Sequence, residues 1–86
     1  MLNKIEMKLS VYSLKKVLFQ GNASLLNCKT AVGEITVLDN HQPLIGILKE
    51  GTMKIVDSEK KEHFLEIKSG LIEVKPENEV RCLIDD

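Results

Sequence analysis

A two-residue alternation of apolar and polar side chains runs through most of this chain and is cut at short intervals by turn-forming residues. Successive side chains of a strand point to opposite faces, so a period of two is what a half-buried strand requires; a helix needs recurrence at three and four. Leu9, Val11 and Ser13 alternate with Ser10, Tyr12 and Leu14. Met53 and Ile55, Leu65 and Ile67, Ile72 and Val74, and Val80, Cys82 and Ile84 each share one face of a short run. No stretch sustains a helical period with caps.

The breakers divide the alternation into segments. Gly21-Asn22 tolerates positive φ at both residues and predicts a tight turn joining Val17–Phe19 to Ala23–Lys29 as a hairpin. Gly33 precedes a strand over Glu34–Leu38, and Asp39–Pro43 reads as a loop in which Pro43 has no N–H to offer a ladder. Leu44–Leu48 is continuously apolar and predicts a buried strand. Gly51 opens a strand over Thr52–Val56, the charged Asp57–Glu62 segment turns the chain, Gly70 starts another strand, and Pro76–Glu79 turns it again. The pattern predicts an all-β fold, a flattened antiparallel β-sandwich or barrel of about 8–10 short strands, as one domain over residues 1–86.

Composition narrows what such a domain can do. Hydrophobic residues make up 43% but aromatics only 3%, so the core must be aliphatic. Twelve basic against 13 acidic residues leave a net charge of −1, which provides no general attraction to phosphate backbones or anionic lipid. Tyr12, Phe19 and Phe64 are the only aromatics and are expected to pack partly into the core, which argues against a stacking platform for nucleic acid. No apolar run is long enough to span a bilayer, and the first residues lack the apolar stretch of a signal peptide. Cys28 and Cys82 each sit in an apolar alternating run and are expected to be buried free thiols.

Catalytic constellations are not visible. His41 and His63 stand far apart without neighbours at metal-ligand spacing, and neither a nucleophile elbow nor a glycine-rich phosphate loop occurs. The chain is therefore expected to be non-catalytic, with no cofactor and no metal.

One segment carries more information. Val32-Gly33-Glu34-Ile35-Thr36-Val37-Leu38-Asp39-Asn40-His41-Gln42-Pro43-Leu44 resembles the signature of F-type ATP synthase epsilon subunits, roughly G-E-[FL]-G-[VI]-L-P-G-H-A-P-L-L, and keeps Gly33, Glu34, Leu38, His41, Pro43 and Leu44. Leu9–Gly21 is similar to the family's opening segment ending in F-x-G, Leu48–Ile55 to L-K-P-G-x-[LIM]-x-I, and Gly70–Pro76 to G-[FI]-L-E-V-x-P, in the same order. Asp39-Asn40 replaces the family's Pro-Gly, and Asn is the commonest non-glycine visitor to the left-handed region, so a turn there remains feasible.

The resemblance implies a non-catalytic rotor domain that couples the gamma subunit to the membrane c ring during proton-driven ATP synthesis. Carried over residue by residue, Gly33 and Glu34 would approach the polar loops of the c ring, and His41, Gln42 and Pro43 would face gamma. It also implies a peripheral position on the cytoplasmic face of a bacterial membrane, without insertion into the bilayer and without nucleic acid. Family members continue into two C-terminal helices, which in some bind ATP; the sequence in hand runs to Asp86, so ATP binding by this segment is not expected. The residues alone leave two alternatives: an epsilon-like module in another rotary complex, or a small β-barrel that binds a ligand or nucleic acid.

Overall fold

The computed structural model describes residues 6–85. It is all-β, with strands β1 (Met7–Tyr12), β2 (Val17–Thr30), β3 (Gly33–Leu38), β4 (Leu44–Leu48), β5 (Gly51–Asp57), β6 (Glu62–Ile67), β7 (Gly70–Lys75) and β8 (Glu79–Ile84). Hydrogen bonds run in the order β1-β8-β7-β4-β2-β5-β6, with β3 on β2 and a further pairing of β1 with β2. The sheet thus folds over itself. One layer holds β4, β7, β8, β1 and the first half of β2; the other holds β3, the second half of β2, β5 and β6.

Leu9, Val11, Ser13, Met53, Ile55, Ile72, Val74, Val80, Cys82 and Ile84 are buried between the layers, as the alternation predicts, and Met7 continues the face of Leu9 and Val11. Large aliphatic side chains such as Leu26 and Ile55, withdrawn completely from water, each contribute about 1.5–3 kcal/mol.

Three expectations need correction. The chain does not turn at Gly21-Asn22. Residues 17–30 form one strand, and Gly21 pairs with Leu9 in the ladder to β1. The turn lies earlier, at Ser13–Lys16, where the Ser13 hydroxyl accepts the N–H groups of Lys15 (3.1 Å) and Lys16 (3.2 Å) and the Ser13 N–H donates to the Lys16 carbonyl (2.9 Å). A serine hydroxyl can close a turn that carries no glycine or asparagine. The sheet is also mixed, because β1 pairs in parallel with β8 while every other strand pair is antiparallel. Finally, β4 is buried on one face only: Leu48 points inward, whereas Ile45 and Ile47 are 76% and 57% exposed.

A bulge makes the long β2 possible. Between Ala23 and Leu25 the register against β5 shifts by one residue. Ala23 and Leu26 are therefore both buried although three positions apart, and Cys28 and Thr30 continue the new phase. The extra residue bends the strand and lets it serve both layers.

Gly70 marks the closest backbone approach. A Cβ there would overlap the Leu83 carbonyl oxygen and lie 2.9 Å from Ile84 Cα, and the residue's φ is +158°. The obstructing atoms are backbone of β8, which cannot swing aside. Gly70→Ala is expected to destabilise the domain by about 1–3 kcal/mol, read as a lower urea midpoint in equilibrium unfolding.

Candidate interaction surfaces

The residues singled out by sequence lie in two places. Gly33 and Glu34 begin β3, directly after the Ala31-Val32 turn. Thr30 braces this turn: its hydroxyl donates to the Gly33 carbonyl (2.7 Å) and accepts the Val32 N–H (3.3 Å), while the Ala31 N–H donates to the Ile47 carbonyl (2.9 Å). Gly33 has a φ of +124°, a conformation that favours glycine, and its neighbour Glu34 is held with its carboxylate exposed.

His41, Gln42 and Pro43 lie past the other end of β3. The six-residue strand is about 17 Å long at about 3.4 Å per residue, so the two groups form separate surfaces. Asn40 adopts the left-handed conformation at φ 61°, and its N–H donates to Asn78 Oδ1 (2.7 Å). Asn78 belongs to the β7–β8 turn, where Glu77 and Asn78 also have positive φ, and its carbonyl accepts the Lys8 N–H (2.9 Å). The His41 N–H donates to the Leu38 carbonyl (3.2 Å), and its ring Nδ1–H donates to the Gln42 carbonyl (2.7 Å). His41 is half-buried and its ring is already engaged within its own loop; Gln42 and Pro43 are exposed.

The sequence reading missed a third surface. On the outer face of β4, β7, β8 and β1, Ile47 pairs with Leu71, Leu71 with Leu83, and Leu83 with Tyr12. These four side chains form an apolar row across four adjacent strands, with Leu71 50% and Leu83 37% exposed and Tyr12 half-buried. Leu14 and Ile45 extend it. The signal was present: a continuous apolar run in a strand places every second residue on the outer face whenever only one face has a layer to pack against. Two shallow depressions of about 340 and 320 Å³ flank the row. Phe64 corrects another expectation, standing 59% exposed on the outer face of β6.

No reactive centre is assembled among the described residues. No three metal-ligating side chains come together. Both cysteines are buried and free. Burial, aided by the Glu34 carboxylate, pushes the Cys28 thiol up to about 11, and burial, aided by Cys28, pushes Cys82 up as well. Neither thiol supplies a nucleophile at neutral pH.

Among the described residues, the one carboxylate–imidazole pair is Asp57 with His63, absent from the sequence reading. Asp57 Oδ2 meets His63 Nε2 at 2.8 Å, while Oδ1 accepts the N–H groups of Glu59 (2.8 Å) and Lys61 (3.0 Å). Phe19 packs edge-on against the imidazole at 5.1 Å between centroids. The hydrogen bonds of Asp57 close the β5–β6 turn and Phe19 packs the imidazole against β2, so the pair is structural.

The fold is that of a small two-layer β-sandwich domain with exposed loops and an apolar outer face. The chain belongs to the family described as ATP synthase, Delta/Epsilon chain, beta-sandwich domain, which it matches over residues 6–86. It is 35% identical over 66 residues to the ATP synthase epsilon chain of Psychrobacter arcticus, covering 77% of this chain and 48% of that protein. To the ATP synthase epsilon chain of Hydrogenovibrio crunogenus it is 32% identical over 72 residues, covering 84% and 49%. The chain thus spans about half the length of these curated relatives. Its fold superposes with a TM-score of 0.89, at 18% identity, on a chain in the cryo-EM structure of Euglena gracilis mitochondrial ATP synthase, OSCP/F1/c-ring, covering 96% of this chain and 52% of the other. A chain of the Tetrahymena thermophila mitochondrial ATP synthase central stalk/c-ring gives 0.78 at 18% identity, covering 99% and 67%.

The Asp57 cluster yields a pH prediction. The His63 hydrogen bond, with help from the Lys61 and Glu59 amides, holds the Asp57 carboxyl below its ordinary range. A folded-state value below the unfolded one contributes stability that is fully present above the ordinary carboxylate range and lost as pH falls through the folded value. Asp57→Asn is therefore expected to flatten the acid side of the stability profile. Urea midpoints measured from about pH 5 down to about pH 2 should fall less steeply in the variant than in the wild type.

Proposed function

We propose that this chain is a non-catalytic rotor domain of an F-type ATP synthase, holding gamma to the c ring so that ring rotation turns gamma without slip. The observation that carries this is the family match over residues 6–86, nearly the whole chain. Its setting is the periphery of the membrane-bound complex, on the cytoplasmic face of a bacterial membrane. Two solved assemblies with a chain of this fold are an F1/c-ring and a central stalk/c-ring.

The geometry suits a coupling element. Torque transmission needs a stiff body with separate surfaces, and a sandwich whose loops are tied by backbone hydrogen bonds meets that need. The turn carrying Gly33 and Glu34 is the surface for the polar loops of the c ring, where an exposed carboxylate accepts charge-assisted hydrogen bonds. The loop of His41, Gln42 and Pro43 is the surface for gamma. Asn40 and Asn78 fix that loop to the β7–β8 turn, so a force applied there passes into the sheet.

The test is co-purification with the gamma subunit of the same source. Wild type is expected to retain gamma, and the His41→Ala, Gln42→Ala double variant to bind at least about tenfold more weakly, as loss of an interface anchor does. Equal binding by both would leave the rotor assignment standing and remove the loop from the interface. Failure of correctly folded wild type to retain gamma would overturn the proposal.

A further inference from the structure

We infer that the outer face of β4, β7, β8 and β1 is complementary to itself, and that two copies of this chain pair through it about a twofold axis running along the strands between β7 and β8. The inference goes beyond the rotor assignment, since it concerns the chain on its own.

The argument rests on the ladder between β7 and β8. Leu71 stands opposite Leu83, Glu73 opposite Arg81, and Lys75 opposite Glu79. All six point away from the core, because Ile72, Val74, Val80, Cys82 and Ile84 occupy the inward positions of the same strands. A twofold axis along the strands, midway between β7 and β8, lays β7 of one copy over β8 of the other. Leu71 then covers the partner's Leu83, Glu73 meets the partner's Arg81, and Lys75 meets the partner's Glu79. Each β7–β8 pair matches itself: apolar on apolar, carboxylate on guanidinium, ammonium on carboxylate; only at the ends of the Glu73 row does an apolar side chain, Ile45, lie over a polar one, the partner's Ser10. On the flanks, Ile47 reaches the partner's Tyr12, since these residues end the same cross-strand row.

Glu73 and Arg81 are available for this: among the described residues neither forms an ion pair within 4 Å, whereas Lys75 and Glu79 lie 3.9 Å apart in their own chain and would share that contact with the partner. Two sheets stack face to face about 10 Å apart, within the combined reach of a Glu and an Arg side chain. They also prefer to pack with strands nearly aligned, as this axis requires.

Size sets the strength. Four strands about 4.8 Å apart and three rows about 7 Å apart give a face of about 400 Å². A standard interface takes about 800 Å² from each partner. The pairing is therefore weak and concentration-dependent, and it hides the apolar row whenever nothing else covers it.

Sedimentation equilibrium of this chain, without any other subunit, from about 10 μM to about 1 mM tests the inference. Wild type is expected to approach twice its monomer mass at the upper end. Glu73→Arg and Arg81→Glu should each raise the dissociation constant at least about tenfold, and the double reversal should restore it to within about threefold, as a direct charge pair requires. Leu71→Ser, which leaves the charges in place, should weaken pairing as well, and circular dichroism checks that each variant keeps the fold. A monomer at every concentration overturns the inference. So does a dimer indifferent to all the variants, or a double reversal that fails to restore pairing. Gamma takes no part in this measurement, so its outcome is independent of the rotor assignment.

Discussion

Everything in this fold depends on one bent strand. β2 hydrogen-bonds to β1 with its first half and to β3 and β5 with its second, and touches β4 at Thr30. A strand of 14 residues can belong to both layers only if its inward face changes parity where the layers part, and the bulge between Ala23 and Leu25 does this. Ala23 then closes the core under β1, and Leu26 and Cys28 close it under β5 and β3. Without the extra residue, Leu25 and Asn27 would point inward and Leu26 outward. An uncompensated asparagine would then sit in an otherwise aliphatic interior, at a cost of about 1–3 kcal/mol on mutational scales.

This explains what could be read from the sequence. Simple alternation identified the inward residues of β1, β5, β7 and β8 correctly, because those strands keep one phase from end to end. It failed at Gly21-Asn22, where a strong local turn signal met a strand already paired along its length with β1. Turn propensity is a local preference, and the ladder outweighed it. The actual turn was hidden because Ser13 closes it with its side chain, a device that apolar patterning cannot register. The parallel contact of β1 with β8 joins the two ends of the chain and could not be seen in any local window.

The candidate sites were legible to a different degree. That Glu34 opens a strand behind Gly33, and that His41, Gln42 and Pro43 lie in the loop beyond it, followed from the glycine and the proline. Asn40 shows why the loop keeps its shape despite departing from the family's Pro-Gly: asparagine enters the left-handed region, and its N–H finds Asn78 on the neighbouring turn. That second partner is 38 residues away in sequence and needs the folded sheet to be seen. The β4 end of the apolar row, Ile45 and Ile47, was written in Leu44–Leu48, but a continuous run does not say whether its second face is covered by protein or by water.

That ambiguity has a physical consequence. A domain of this size has only a thin interior, so it buries a smaller fraction of its surface than a larger domain does and is correspondingly marginal in stability. An outer face carrying Ile45, Ile47, Leu71 and Leu83 is only partly buried in the isolated chain, and it gains apolar contact when a partner sheet or subunit covers it. Any partner that binds this face only in the folded chain raises stability in proportion to the logarithm of its concentration over its dissociation constant. Stability and assembly are therefore linked through the same side chains. The backbone of β7 and β8 is held by a six-pair ladder and by the close approach at Gly70, so the face is presented ready-formed. Docking then orders few groups, and the association keeps more of the free energy of burial.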